Sequence, residues 1–384
     1  MISPQFRPLV GGYERAAERL SAALAQRGLR IVVITERRDR RWPAVESVDG
    51  YEIRRLSCWY RRHFHALTSL LSFIGYLLWR GRDFTVWHVH QYGLHAALAV
   101  ALGRLLGRPV VLKLTSSSSM GIERALGKGL AGWILAALHR RVNTCLAVSE
   151  ETREEAIRFG IPQQRVHLIP NGVDGRQFHP VSAEERGTAQ RTLGLDCQRL
   201  VLYVGRLSSE KNPLGLLDAW AAIEPDTRAN TLLALVGDGP ERNQVDAKVA
   251  ELNLSESVYL AGQRSDMTAW YQAADVYVMA SHNEGLSNTM IEAMASGLPV
   301  VSTRVSGSSI LLELPAAGLV VDVGDRNALS AAMALLLQDD PMRAQFGRNA
   351  RQAFEMHFSL DGLASRILSL YAQVLAIRTL PGNP

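Results

Sequence analysis

Three features of this 384-residue sequence predict an α/β protein built on two parallel sheets. Short β-branched runs alternate with amphipathic stretches along the whole chain, the pattern of repeated βαβ units. Eleven such runs are more than one compact doubly wound sheet usually carries. A polar segment, Asp174 to about Leu195 with Pro180 and the run Glu184-Glu185-Arg186, divides them into two series. The expected architecture is two Rossmann-like domains, residues 1–180 and 181–360, with their parallel sheets facing across a cleft.

The first series comprises Ile31–Thr35, Val86–His90, Pro109–Thr115, Thr144–Val148 and Val166–Ile169. The second comprises Leu200–Val204, Leu232–Val236, Val258–Leu260, Asp275–Met279, Pro299–Thr303 and Gly318–Val321. Helical periodicity marks Tyr13–Gln26, Glu150–Phe159, Pro213–Ala222, Leu329–Leu337 and Leu363–Ile377. Ligands of such sheets bind outside the carboxyl ends of the strands, so the loops that follow the runs are where chemistry is sought.

Composition narrows the function classes. At 47% hydrophobic and 21% charged residues, the chain can bury an ordinary core. Cys58, Cys145 and Cys197 are too few and too scattered for a disulfide framework or a zinc site, which fits a reducing compartment. Met1-Ile2-Ser3-Pro4 lacks the basic and then apolar pattern of a secretory signal. The most apolar stretch, Ala66–Trp79, is short of the ~20 residues a membrane-spanning helix needs. Arg61 and Arg62 precede it, and Arg80 and Arg82 follow. An apolar helix between basic ends can lie on an anionic membrane surface, and it can equally be a buried helix with solvated ends. The net charge of +5 suits nucleotides, phosphates or anionic lipid. Nucleic acid is not expected, because the basic residues are dispersed and no recognition motif accompanies them. The expected location is cytoplasmic, with the cytoplasmic face of a membrane as an attachment site.

The strongest motif is Glu284-Gly285-Leu286-Ser287-Asn288-Thr289-Met290-Ile291-Glu292, which follows the run Asp275–Met279 and opens a short helix. Ser287 or Asn288 can cap that helix, Gly297 can close it, and Pro299 cannot continue it. A helix N-terminus at the end of a parallel strand offers free N–H groups and partial positive charge, which suits a phosphate. Glu292 lies four residues past Asn288 on the same face, where a carboxylate can accept both hydroxyls of a ribose. Glu284 stays in the loop ahead, where a sugar attached to the phosphate would lie.

A second motif, Val204-Gly205-Arg206-Leu207-Ser208-Ser209-Glu210-Lys211-Asn212-Pro213, follows the first strand of the second domain. Arg206 offers a planar fork of donors and Lys211 a point charge. Together they can neutralise a diphosphate, including the charge that grows on a leaving nucleotide. Gly11-Gly12-Tyr13-Glu14-Arg15 opens the first helix, and its glycines would let backbone approach a ligand closely. Val236-Gly237-Asp238-Gly239-Pro240-Glu241 reads as a structural strand-to-helix turn.

These residues resemble the GT-B glycosyltransferases of family 4. The glutamate pair Glu284/Glu292 resembles the family's E-x7-E motif, and Arg206/Lys211 its diphosphate-binding pair. Ala147-Val148-Ser149, Ile169-Pro170-Asn171-Gly172-Val173-Asp174 and Gly297-Leu298-Pro299-Val300-Val301 are similar to it as well, in the same order along nearly the whole chain. The resemblance implies a GT-B fold whose domains close over a nucleotide sugar, and a last helix, about residues 361–384, that crosses back onto the first domain. It implies a retaining transferase without a metal or other cofactor, in which a leaving phosphate oxygen takes the acceptor's proton. Glu292 would hold the ribose and Glu284 the transferred sugar. Arg206 and Lys211 would hold the diphosphate with the N–H groups of Gly285, Leu286, Ser287 and Asn288. Gly11 and Gly12 would approach the donor, and Arg264 would contact the base. The implied partners are a nucleotide-sugar donor, UDP-linked before GDP-mannose, and a glycan or lipid-linked acceptor of cell-surface polysaccharide or glycolipid assembly. The acceptor would be set by the loops Arg37–Val48, Cys58–His65 and Ser116–Arg124.

Three departures stand out. Relatives begin with a strand before the Gly-Gly loop, whereas Met1–Val10 holds no apolar run of that length. Either the start lies too far in, or the first sheet lacks a central strand and its neighbours lose backbone partners. Where relatives carry a histidine reaching the donor sugar, Lys113-Leu114-Thr115-Ser116 stands here, leaving Thr115 and His90 as candidates for that contact. The family's usual Gly-Gly with a following Glu after Pro299–Thr303 reads Ser306-Gly307-Ser308-Ser309-Ile310 here. No Asp-x-Asp motif occurs, against a metal-dependent transferase, and no Gly-x-Gly-x-x-Gly directly follows a strand-like run as a dinucleotide oxidoreductase needs. A nucleotide-sugar epimerase on the same fold and a non-catalytic nucleotide-sugar-binding relative are the remaining alternatives.

Overall fold

The computed structural model describes residues 1–9, 11–59, 64–115, 129–308 and 317–379. The chain divides into two compact units. One comprises residues 1–172 and the C-terminal segment from Leu360; the other is Val173–Ser359.

The first unit contains α1 (Gly12–Gln26), β1 (Val32–Arg37), β2 (Val45–Val48), β3 (Tyr51–Ser57), α2 (His65–Arg80), β4 (Trp87–His90), α3 (Leu94–Leu106), β5 (Val110–Leu114), α4 (Gly129–His139), β6 (Thr144–Ala147), α5 (Glu150–Arg158) and β7 (Val166–Leu168). Strands β4, β5, β6 and β7 run parallel in that order, and β1 pairs in parallel with β3. The central place between β1 and β4 is not vacant. Ile2 bridges in parallel to both Ile34 and Val89. Its N–H donates to the His88 carbonyl at 2.7 Å, and its carbonyl accepts from His90 at 2.8 Å. On the other side Ile34 donates to the Met1 carbonyl and Ser3 to the Ile34 carbonyl. Three residues thus supply the partners that the expected loss of a strand would have removed. They carry no periodicity, so the sequence pattern could not show them.

Strands β2 and β3 form an antiparallel hairpin inside and just after the expected acceptor loop Arg37–Val48. Val48 pairs with Tyr51 across Asp49-Gly50, both at positive φ (48° and 81°), as a two-residue turn requires. The β3 alternation is masked because a charged residue takes a core position. Arg55 is buried, held by the carbonyls of Pro43 and Arg7 and by Glu46.

Helix α2 is neither wholly buried nor wholly solvated. Ser69, Phe73 and Leu77 face the core, while Leu67, Leu71 and Leu78 on the opposite side are exposed and Trp79 is 73% exposed. Helix α4 likewise exposes Leu130, Ile134 and Trp133, the last at 67%. No described helix is long and apolar enough to cross a membrane. Arg61, Arg62, half of the loop Cys58–His65 and all of Ser116–Arg124 fall outside the described residues.

The second unit contains α6 (Ala183–Thr192), β8 (Arg199–Val204), α7 (Pro213–Ala221), α8 (Pro225–Arg228), β9 (Thr231–Val236), α9 (Arg242–Glu251), β10 (Val258–Gly262), α10 (Met267–Ala273), β11 (Val276–Met279), α11 (Asn288–Ala295), β12 (Val300–Thr303), β13 (Gly318–Val321), α12 (Arg326–Gln338) and α13 (Asp340–His357). Its six strands are all parallel, in the order β10-β9-β8-β11-β12-β13. The boundary between the units falls at Gly172/Val173, ahead of the polar segment expected to carry it. Much of that segment is α6, opened by a capping box between Ser182 and Glu185. Arg186 anchors it on buried Asp275, whose other oxygen accepts the Leu200 N–H at 2.9 Å.

A C-terminal helix, Leu360–Thr379, completes the first unit. Its Leu363, Ala364, Ile367, Leu370, Tyr371 and Val374 fill a core with Leu20, Val33, Val111 and Ile169. On that face lies a buried cluster of basic groups. His88 and His90 stack 4.7 Å apart, the Tyr371 hydroxyl meets His88 Nδ1 at 2.6 Å, and Lys113 pairs in register with His90. Burial lowers Lys113 to about 8 and pushes both histidines well below their ordinary value, with Lys113 adding to the effect on each.

An unfolded lysine keeps its proton to 10.5, and the folded Lys113 releases it near 8. Between those values the unfolded chain binds more protons, so this group's contribution to stability rises with pH. Lys113→Met is therefore expected to stabilise the protein at pH 7, by at most about 3 kcal/mol. Its advantage over wild type should shrink as pH rises from 8 to 10.5. Urea unfolding at pH 7 and pH 10 reads the difference; an equal gap at both would show that the buried ammonium carries no penalty.

Candidate functional site

Strands β8 and β11 are neighbours, and the loops leaving their carboxyl ends bring the second unit's candidate residues together. After β8, the Gly205 and Leu207 N–H groups bond the carbonyls of Val236 and Asp238, so the Arg206 loop lies against the next strand-to-helix turn. The approach is too close for a side chain: a Cβ on Gly237, at φ +148°, would lie 1.9 Å from the Gly205 carbonyl oxygen. That contact accounts for the Val236–Glu241 turn as a structural support. Asn212 closes the loop at φ +53°, accepting from Gly215 N–H while its amide donates to the Ala280 carbonyl at the end of β11. Pro213 occupies the first turn of α7, where its missing N–H costs nothing.

After β11, the His282 N–H donates to the Glu210 carbonyl at 2.8 Å and ties the two loops together. The Lys211 ammonium pairs with the Glu284 carboxylate. Burial lowers the Lys211 pKa, and nearby Glu210 works in the opposite direction. Ser287 caps α11 by accepting from the Met290 N–H, which fixes where the helix begins.

Glu292, one turn inside α11, is only 2% exposed. Its Oε2 accepts a hydrogen bond of 2.8 Å from the Tyr271 hydroxyl of α10. Tyr277 of β11 meets Thr289 Oγ1 at 2.7 Å, fixing the first turn of the same helix. Tyr271 was not singled out from the sequence. It lies 21 residues upstream of Glu292, and beside Trp270 on a short helix it reads as core. Arg264 is exposed just beyond β10, with its Nε donating to the Ala261 carbonyl at 3.0 Å.

The glycine at the altered Ser306-Gly307-Ser308 turn has a positional role. A Cβ on Gly307 would fall 2.0 Å from the Gly285 oxygen and 2.7 Å from Leu286 Cα. Two backbones therefore press together, and the Glu284–Ser287 loop rests on the turn that follows β12. Ser309 and Ile310 lie outside the described residues.

Gly11, Gly12, His90 and Thr115 belong to the first unit. Gly11 is the extended residue before α1, and Gly12 is its first helical residue. The space beside Gly11 is filled by Glu14, whose carboxylate oxygen would stand 2.2 Å from an added Cβ. Glu14 is itself buried, and desolvation raises its pKa. His90 ends β4, is 1% exposed, and neither ring nitrogen has a hydrogen-bond partner among the described residues. Thr115 follows β5 and is half-buried.

If Gly307 sets the height of the Glu284 loop, Gly307→Ala will displace it. The expected cost is about 1–3 kcal/mol in stability, with a weakened nucleotide response in calorimetry. Gly75→Ala, on α2 with no atom within 4 Å of the added carbon, serves as control: it should leave the nucleotide response unchanged and raise stability by about 0.5–1 kcal/mol, as a helix-interior glycine replaced by alanine does. Equal behaviour of the two variants would remove the role given to Gly307.

Comparison with known proteins follows the same division of the chain. Residues 10–177 match the family model described as Glycosyltransferase Family 4, and residues 188–353 match the one described as Glycosyl transferases group 1. A GDP-mannose-dependent alpha-mannosyltransferase of Mycolicibacterium smegmatis is 29% identical over 99% of this chain and 98% of its own length. A D-inositol 3-phosphate glycosyltransferase of Xylanimonas cellulosilytica is 31% identical over 59% of this chain, and the match spans 56% of that relative's length. Among solved structures, sucrose-phosphate synthase from Thermosynechococcus elongatus has a TM-score of 0.79 at 25% identity, covering 96% of this chain and 94% of its own. The two family models between them take in most of both units, and the chain belongs to the GT-B glycosyltransferases of family 4, group 1.

Proposed function

We propose that the chain moves a hexosyl unit, with retention, from a nucleotide sugar to a glycan or lipid-linked acceptor of cell-surface polysaccharide or glycolipid assembly. The observation that carries this reading is the pairing of Lys211 with Glu284 ahead of the capped N-terminus of α11, with Glu292 held by Tyr271 one turn inside. A diphosphate at that N-terminus would meet backbone N–H groups, the Arg206 fork and the Lys211 ammonium. Glu292, positioned by Tyr271, would accept the ribose hydroxyls, and Glu284 would turn from Lys211 to the hydroxyls of the sugar. The bond from the sugar's anomeric carbon to the phosphate oxygen breaks, a bond to the acceptor oxygen forms on the same face, and the acceptor's proton passes to the departing phosphate. Lys211 stabilises the charge gathering on that phosphate. No residue is assigned as a nucleophile and no metal is assigned to the diphosphate. UDP-sugars head the donor series and GDP-mannose comes next; the latter is the donor named for the Mycolicibacterium relative.

Calorimetry and turnover with each donor, with and without EDTA, test the assignment. Glu292→Ala should lose nucleotide-sugar affinity at least tenfold while unfolding at the wild-type temperature. Lys211→Ala should lower turnover by about 10²-fold or more. Unchanged affinity in the first or unchanged rate in the second would remove the respective role, and loss of activity with EDTA would overturn the metal-free mechanism.

A membrane-borne acceptor is supported by the outward faces of α2 and α4 and by charge. Residues 59–141 hold eleven Arg and Lys against two Asp and Glu, a net +9 within a chain of +5. Apolar side chains fringed by arginine suit an anionic bilayer surface. Flotation with anionic vesicles at low salt is expected to carry the protein upward, and Leu71→Glu with Trp79→Glu to leave it in the soluble fraction. Wild type that stays soluble would end the membrane reading.

A further inference from the structure

A cavity of the first unit lies apart from the candidate donor-site residues. It measures about 620 Å³ and opens at the amino ends of β5, β6 and β7, beside Pro109, Thr144 and His167. The strand direction puts it at the opposite edge of the sheet from His90 and Thr115. Its charged lining is Arg104, Arg108, Arg141 and Arg165, set among neutral groups that include Asn143, Gln164 and Gln373. No carboxylate lines it among the described residues.

Arginines at a sheet edge often serve neighbouring backbone, and two of these do so in part. Arg108 Nη2 donates to the Arg82 carbonyl at 2.8 Å, and Arg165 Nη1 to the Val142 carbonyl at 3.2 Å. Each uses one nitrogen and leaves the rest of its fork. Arg108 Nε is buried without a partner. Arg104, in the last turn of α3, and Arg141, just past α4, complement helix ends whose carbonyls are already bonded within the turn. None of the four is paired with an acidic side chain among the described residues. Four guanidinium groups around one cavity repel one another unless an anion lies between them, and their planar donor forks match phosphate oxygens. The volume is within the range that holds a small ligand.

We propose that this cavity is a second site, separate from the donor site, for a phosphate-bearing ligand. The phosphate belongs either to a free phosphorylated molecule or to a lipid headgroup. Gln373 comes from the C-terminal helix whose Tyr371 meets His88, so an occupied cavity would also hold that helix against the sheet. The site does not depend on the donor assignment, because every residue lining it belongs to the first unit.

The test compares wild type with Arg104→Gln/Arg141→Gln, two exposed residues without a bonded side-chain partner, in two arms. One arm titrates inorganic pyrophosphate by calorimetry; the other titrates short-chain phosphatidylglycerol below its micelle concentration, so that attraction of α2 and α4 to a bilayer does not enter. Loss of at least tenfold in affinity is expected in one arm, and that arm names the source of the phosphate. Gln373→Glu, which adds a carboxylate to the lining, should weaken the same arm. The double variant should keep the wild-type thermal shift with nucleotide, which separates failure of this site from failure of the donor site. Equal affinities of all three proteins in both arms would overturn the proposal.

Discussion

The placement of β8 beside β11 is the constraint on which the donor-side chemistry rests. From β8 the chain moves outward on one side to β9 and β10, and then returns to lay β11 on the other side. At that reversal, the loops leaving two adjacent parallel strands diverge to opposite faces and leave a gap between them. Arg206 and Lys211 sit on one lip and Glu284 on the other. The gap is held by backbone more than by side chains: the bond from His282 to Glu210, and glycines at 237 and 307 that let peptide groups touch. Charged groups of opposite sign can then be kept side by side without drifting into pairs elsewhere.

The first unit solves the same topological problem with far less chain. Its sheet order reverses between β1 and β4, and the three residues Met1–Ser3 lie in that place. The neighbouring strands β4 and β5 carry His88, His90 and Lys113 rather than the aliphatic side chains that usually fill a central sheet. A core of this composition stays ordered because Tyr371 reaches in from the C-terminal helix and because the imidazoles remain neutral.

Much of this was legible in the sequence, for identifiable reasons. All eleven runs became strands because parallel strands between helical layers are rich in β-branched and apolar residues, a local signature that survives His88, His90 and Lys113. The cap at Ser287 and the position of Glu292 follow from helix geometry alone. What escaped was set by residues distant in the chain or by local rules that a neighbour overrode. Tyr271 acts on Glu292 from another helix, and nothing in its own surroundings distinguishes it from core. Strand β3 was hidden by Arg55 at an inward position, although Asp49-Gly50 announced the turn beside it. The contact of Glu14 with Gly11 could not be read from the paired glycines themselves, because it depends on how the first turn of α1 folds back.

The return of the last helix to the first unit has a consequence for how the protein is made. The second unit is one continuous stretch, whereas the first is interrupted and needs residues from both ends of the chain. During synthesis from the N-terminus, a face built of Leu20, Val33, Val111 and Ile169 waits for Leu363, Ile367 and Leu370 to emerge. The unit begun first is therefore finished last, and its apolar face stays uncovered while nearly the whole chain is translated. For that interval the nascent polypeptide is a natural client for a chaperone that shields apolar surface, and its dependence should ease once the final helix has docked.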